Sequence, residues 1–228
     1  MANIGIIAAL DCELEMFISD FNAKVTENKH IYKGSYCGHD VYLTLCGVGK
    51  VNAAVCTQRL IDYAKLDAII NSGVAGGVSD KLTICDLAIS DSLTYHDFYP
   101  IDVLEKYAPG CSVFVADKKL LSLAEDAANK LISSGENFNC QTGMIVSGDM
   151  FVENEEYNKM LKEKYNAVCT EMEGAAVAHA ALLSGVPFIV IRAISDNADE
   201  KADISFEQMC SISAKRACRI VKEMIANY

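Results

Sequence analysis

Acidic residues stand in this chain where apolar segments would be expected to run on. In "CTEMEGAAVAHAALL" (169–183), Glu171 and Glu173 flank Met172 and sit at the start of what reads as a buried helix. Asp and Glu are almost never fully buried without a partner, so these side chains either face solvent or meet something polar. Glu13 follows the apolar run "NIGIIAA" (3–9), and Arg192 interrupts the apolar "PFIVIRAISD", which ends on Ser195 and Asp196. A buried guanidinium needs an acidic partner or a ligand. The chemistry these types suggest is recognition of a polar ligand at the margin of a core. Plainer readings stand beside it. Glu13 could be a helix-start charge favoured by the dipole, Asp196 could cap a following turn, and His96 and His179 read as satisfied structural groups. "SGVAGG" (72–77) could be a tight glycine turn, since it has neither the Rossmann spacing nor the Lys-Ser/Thr of a P-loop.

Strands and helices alternate along the chain. "NIGIIAA" has the continuous apolar character of a strand covered on both faces, and "DCELEMFISDF" has helical spacing. "HIYKGSYCGHDVYLTLCGVG" reads as a hairpin turning at "CGHD". "KVNAAVCTQRLIDYA", "DKKLLSLAEDAANKLISSG", "NEEYNKMLKEKYN" and "SFEQMCSISAKRACRIVKEMIANY" read as helices, the second closed by Gly135. "DAIINSGVAGG", "DLAISDSLTYHD", "CQTGMIVSGDMFV" and "PFIVIRAISD" read as strands. This pattern predicts an α/β fold, a single domain over 1–228, with three α/β/α layers around a mixed, mostly parallel sheet. Ligands in such sheets sit at the carboxyl ends of the strands. That rule gathers Asp11 and Glu13, "SGVAGG", Asp149 with Phe151 and Val152, and Arg192 to Asp196 at one edge.

Composition narrows the classes. A formal charge of −11 with no compensating Lys/Arg cluster argues against a nucleic-acid partner. The 10 cysteines include no C-x-x-C pair, so they read as reduced core thiols of a cytoplasmic protein. The four histidines show no ligand spacing, and no metal or cofactor is expected. The N-terminal apolar run is too short to span a membrane and lacks a signal-peptide pattern.

In order, "IGIIAALDCE", "GVGKVNAA", "IINSGVAGG", "YHD", "PGC", "VSGDMF", "EMEGAAVAH", "PFIVIRAISD" and "SF" cover essentially the whole chain. Together they resemble the bacterial 5'-methylthioadenosine/S-adenosylhomocysteine nucleosidases of the nucleoside phosphorylase superfamily. The resemblance implies a nucleoside phosphorylase-like fold and hydrolysis of the N-glycosidic bond of an adenine nucleoside by water, in a homodimer. It makes Asp196 the general acid to adenine N7, oriented by Ser195. Glu13 becomes the activator of water, with Arg192 anchoring that water and Glu13. Glu173 would bind the ribose hydroxyls above Met172, and Glu171 would join the substrate contacts or turn into a salt bridge. Phe151 would stack on adenine, the Val152 backbone would read its edge, and Phe206 would close over the sugar. Val48 would line the pocket for the 5' tail, and Tyr107 and Pro109 lie in the loop that completes it from the neighbouring subunit. Val74 and Gly76 fall in the glycine segment, Val74 where many members carry serine. The loop 97–111 is shorter than usual and lacks the common Thr-Ala-Phe-Gly core. Two rivals are a hydrolase of another 6-aminopurine nucleoside, such as an aminodeoxyfutalosine, and a purine nucleoside phosphorylase. A non-catalytic relative is a third, against which Glu13, Glu173 and Asp196 all survive.

Overall fold

The first apolar run forms strand β1 (Asn3–Ala8), with Ile4, Ile6 and Ala8 in one core and Ile7 in another. A strand covered on both faces has this alternation. The computed structural model describes residues 1–197 and 206–228, with only the backbone described at 197, 206–209 and 211. After β1 come α1 (Asp11–Asp20), β2 (Lys24–Val25), β3 (Ile31–Tyr36), β4 (His39–Leu45), α2 (Lys50–Tyr63), β5 (Ala68–Gly77) and β6 (Leu87–Tyr95). Then follow α3 (Val103–Lys106), β7 (Phe114–Val115), α4 (Lys118–Ser133), β8 (Cys140–Ser147) and α5 (Glu155–Tyr165). The chain ends with β9 (Ala167–Glu171), α6 (Gly174–Leu183), β10 (Phe188–Asn197) and α7 (Phe206–Ala226).

Local chemistry sets the boundaries. The β3–β4 hairpin turns on Cys37 and Gly38, at φ 48° and 85°, the double positive φ of a two-residue hairpin turn. Asp117 caps α4 by accepting the Leu120 N–H, and Gly135 at φ 99° follows its end. Asn154 caps α5, and Asn166 closes it in the left-handed region.

Parallel ladders join β1 to β4 and β5, β5 to β10, β6 to β8 and β8 to β9. Antiparallel contacts join β3 to β4, and, over two or three residues, β6 to β10 and β5 to β9. The layered α/β expectation stands, with one refinement. Because β5 pairs with both β10 and β9, the strands β5, β10, β6, β8 and β9 close into a ring, from which β1, β4, β3 and β2 extend as a wing.

Helices α1, α4 and α7 pack on one face through Leu14, Phe17, Leu120, Ala124, Ala217 and Ile220. Helices α2 and α6 cover the other through Ala53, Leu60, Ala175, Val177 and Ala178. Leu161 of α5 packs with Val78, Val146 and Ala167 in a smaller cluster. No helix among the described residues is long and apolar enough to cross a membrane.

One boundary departs from expectation. Glu171 ends a strand, β9, and the helix begins at Gly174 with Glu173 at its N-cap. All five β9 residues are buried and run directly into an apolar helix, so no change of period marks the junction. Helix α6 is rich in alanine because α2 and the sheet both approach it closely. Ala178, fully buried, should therefore tolerate no added bulk. Ala178→Leu is expected to lower stability by about 1–3 kcal/mol, read as the shift in a urea unfolding midpoint.

Candidate active site

The carboxyl ends of β1, β5, β8, β9 and β10 and the loop after β4 converge on a cavity of about 250 Å³. Its walls include Glu13, Val48, Val74, Gly76, Phe151, Val152, Glu171, Met172, Glu173, Ser195 and Asp196. Ala9, Leu10, Ala75, Met150 and Thr170 complete the lining. Met150 lies within the "VSGDMF" motif. Thr170 belongs to the strand that the pattern hid, where it pairs with Gly76.

Glu13 stands in the first turn of α1 and is 3% exposed. One carboxylate oxygen accepts the Ala9 and Leu10 N–H groups at 2.9 and 3.0 Å, and the other accepts the Val74 N–H at 2.9 Å. The same carboxylate caps α1 and borders the cavity. Gly73 permits this approach: a Cβ there would lie 2.7 Å from Glu13 Oε1 and 3.2 Å from Arg192 Nη1.

Arg192 lies beneath the cavity floor and is 1% exposed. It donates to the Glu171 carboxylate and to Asn71 Oδ1, the latter at 2.6 Å, and stands 3.8 Å from Glu173 Oε2. No direct hydrogen bond joins Arg192 to Glu13 among the described residues; the guanidinium acts on that carboxylate through its charge. The backbone already saturates Glu13, and the guanidinium turns to the strand end beside it. Glu171 takes the salt-bridge alternative. It also accepts the Ser147 hydroxyl and the N–H groups of Glu173 and Gly174, at 3.0 and 2.7 Å. Glu173 Oε1 accepts the Gly49 N–H at 2.9 Å.

Asp196 owes its aim to a bulge. Ile194 pairs with Ala75 and Asp196 with Gly76, so Ser195 is the extra residue. A bulge re-aims the side chain that follows it. Ser195 Oγ lies 3.2 Å from Asp196 Oδ1 as donor, and Asp196 is strand, not the N-cap of a turn. Phe151 and Val48 keep half their surface exposed at the mouth. Tyr107 and Pro109 lie in the 97–111 loop and do not line the cavity of this chain. The side chain of Phe206 lies outside the described residues.

Burial sets the electrostatics. It pushes Asp196 above the ordinary carboxylate value, against the Ser195 hydroxyl, which favours the charged form. It pushes Glu13 up as well, opposed by the Arg192 guanidinium and by the three backbone donors. Glu173 is pushed up to about 7 by burial and by the neighbouring Glu171, with Arg192 and the Gly49 N–H working against the rise. Arg192 stays protonated among these acids.

With that geometry in view, known proteins supply a context. The sequence profile of the phosphorylase superfamily matches residues 3–226. A 5'-methylthioadenosine/S-adenosylhomocysteine nucleosidase from Haemophilus influenzae (strain PittEE) is 39% identical, covering 97% of this chain and 98% of its own. The crystal structure of the Neisseria meningitidis nucleosidase of that name, in complex with methylthio-immucillin-A, superposes with a TM-score of 0.88 at 33% identity over 100% of both chains. The futalosine hydrolase of Helicobacter pylori superposes with a TM-score of 0.87 at 29% identity, over 100% of this chain and 98% of its own.

The raised Glu173 value has a thermodynamic consequence. A carboxyl with a folded pKa of about 7 against an ordinary 4.5 favours folding in full below its unfolded value, and that gain is lost as pH rises through the folded value. At pH 8 its charge is therefore a cost to the folded state. Glu173→Gln, which keeps an acceptor for Gly49, should stabilise the protein at pH 8 by roughly 1–3 kcal/mol. The gain should vanish near pH 4. Thermal unfolding at the two pH values checks this, and an unchanged or lower midpoint at pH 8 would contradict it.

Proposed function

The chain belongs to the phosphorylase superfamily and, within it, to the 5'-methylthioadenosine/S-adenosylhomocysteine nucleosidases, which are N-glycosyl hydrolases, and from that premise we propose how its residues divide the reaction. The observation that carries the reading is the convergence of Glu13, Glu173 and Asp196, from separate strand ends, on one largely apolar cavity. The substrates proposed are 5'-methylthioadenosine and S-adenosylhomocysteine, and the products are adenine and the 5-thioribose.

Breaking the C1'–N9 bond leaves positive charge on the ribose and negative charge on the base. Asp196 protonates N7 as the bond breaks, so the base leaves neutral. Its raised pKa supports this role, since the acid must reach the substrate still carrying its proton. Glu13 takes a proton from the water that attacks C1'. The three N–H donors and the nearby guanidinium favour its charged form, whereas among the described residues Asp196 meets one serine hydroxyl. Such contrasts let two carboxyls serve opposite roles. Glu173 accepts from the ribose hydroxyls, Met172 packs beneath the sugar, and Phe151 stacks on the base with Val152 at its edge. Arg192 contributes at one remove, by holding Glu171 and the floor of the site. The apolar surface left exposed on α2 by Val51 and Val55, and in the 97–111 loop by Tyr99 and Tyr107, supports a homodimer in which a neighbouring loop completes the tail pocket.

No Lys or Arg lines the cavity among the described residues, which weighs against phosphate as the nucleophile. A second reading, hydrolysis of a 6-aminopurine nucleoside with a larger 5' group, is favoured by the likeness to the futalosine hydrolase.

Adenine release from 5'-methylthioadenosine, S-adenosylhomocysteine and aminodeoxyfutalosine, with and without phosphate, separates these readings. Phosphate-independent adenine with a free thioribose is the expected outcome, and a sugar 1-phosphate formed only with phosphate would overturn it. Asp196→Asn and Glu13→Gln should each lower kcat by roughly 10²–10⁴-fold with KM little changed. In the wild type, kcat should fall as pH rises through the pKa of Asp196, because the acid loses its proton. Near-normal turnover in either variant would assign that proton transfer elsewhere.

A further inference from the structure

Lys50, Asp97 and Asp149 form an ion cluster close in sequence to the cavity residues Val48 and Met150, and the hydrolytic reading leaves it without a role. Lys50 Nζ donates to both oxygens of Asp97, at 2.6 and 2.7 Å, and lies 3.6 Å from Asp149 Oδ2. The ammonium also stands 5.5 Å from the centroid of the Tyr95 ring. Backbone donors follow the same path. Asp97 Oδ2 accepts the Asp149 N–H at 2.8 Å, and Asp149 Oδ1 accepts the Lys50 N–H at 2.8 Å. The adjacent amide, that of Gly49, is the one that holds Glu173. Two consecutive N–H groups at the start of α2 therefore grip carboxylates from two different loops, where the helix dipole favours negative charge. His96 fits the same assembly from below. A Cβ on Gly148 would lie 2.3 Å from its Cε1, and its Nδ1 is 2.9 Å from the Tyr157 hydroxyl on α5.

A lone surface ion pair would contribute little, but this one is different in kind. The side chains of Lys50 and Asp97 are only 22% and 24% exposed, and both carboxylates also accept backbone N–H groups. What the cluster ties together is functionally pointed. Phe151 and Val152 follow Asp149 with only Met150 between, Val48 precedes Lys50 with only Gly49 between, and Asp97 opens the 97–111 loop.

We propose that Lys50, Asp97 and Asp149 are positioning residues that clamp the 148–152 segment to the start of α2, so that one short stretch of backbone fixes Phe151 and Val152 at the base and Glu173 at the sugar. The inference rests on the adenine nucleoside reading of the site. Loosening the clamp misplaces the base contacts together with the ribose acid, while leaving Glu13 on α1 and Asp196 on β10. Binding should suffer more than the chemical step.

The test uses the full chain with Asp97→Ala, Lys50→Met and the conservative Lys50→Arg. Three quantities are read: the adenine dissociation constant by calorimetry, the KM and kcat for 5'-methylthioadenosine, and amide hydrogen exchange in the ligand-free protein. Asp97→Ala and Lys50→Met should weaken adenine binding and raise KM by about tenfold, with kcat within about threefold of wild type. The Asp149 and Lys50 amides should exchange faster, and Lys50→Arg should recover most of each change. Should Asp97→Ala fail to fold, Lys50→Met carries the same readouts. Unchanged exchange and adenine affinity in a folded variant would overturn the proposal, as would a fall in kcat with KM unaltered. Failure of the wild type to bind adenine would instead sink the nucleosidase reading. The exchange rates need no ligand and still decide whether the clamp exists.

Discussion

Burying one guanidinium obliges the chain to bring acids to it. Arg192 is sealed from solvent, and an unpaired charge there would cost several kcal/mol even after relaxation. Glu171 meets it directly and Glu173 stands close behind. Glu13 adds a further buried carboxylate within electrostatic reach. Negative charge is then in excess, and the surplus falls to backbone amides at Ala9, Leu10, Val74 and Gly49. Ala9 and Leu10 follow β1, Val74 lies within β5 and Gly49 is the N-cap of α2, so the charge balance of the site and the placing of these elements are one problem.

That coupling explains why the site sits where the strands converge. Bringing Arg192 beside Glu171 needs β10 and β9 on opposite flanks of β5, which is how the ring closes. It also demands a residue without a side chain at Gly73, where the Glu13 and Arg192 head groups crowd the backbone. Burial holds Glu173 and Asp196 above their ordinary range, and the neighbouring Glu171 adds to the rise at Glu173. Stability is spent on poising these groups for proton transfer and recognition, a common bargain at functional sites.

Much of this was legible in the residues. Period and capping located the hairpin, the long helices and most strands, and the strand-end rule brought Glu13, Asp196, Phe151 and Val152 to one edge before any contact was known. Their roles came from the resemblance and not from periodicity. What stayed hidden is non-local. Strand β9 passes straight into an apolar helix, so the sequence pattern does not single out Thr170 and gives Glu171 the look of a helical residue. The partner of Arg192 depends on which strands become neighbours, and a run of apolar letters does not encode that. The bulge at Ser195 is an offset between two strands, visible only once they pair.

The closed ring has a consequence beyond the cavity it frames. Among the described residues, every strand of more than two residues has neighbours on both sides, and the free edges fall on β2 and β7, each two residues long. Lys24 projects at the first of these, and the second lies along β6. Edges this short offer almost no unpaired ladder on which a foreign strand could add. Among the described residues, a second chain therefore finds side chains to recognise and little unpaired strand edge on which exchange or fibril-like stacking could start.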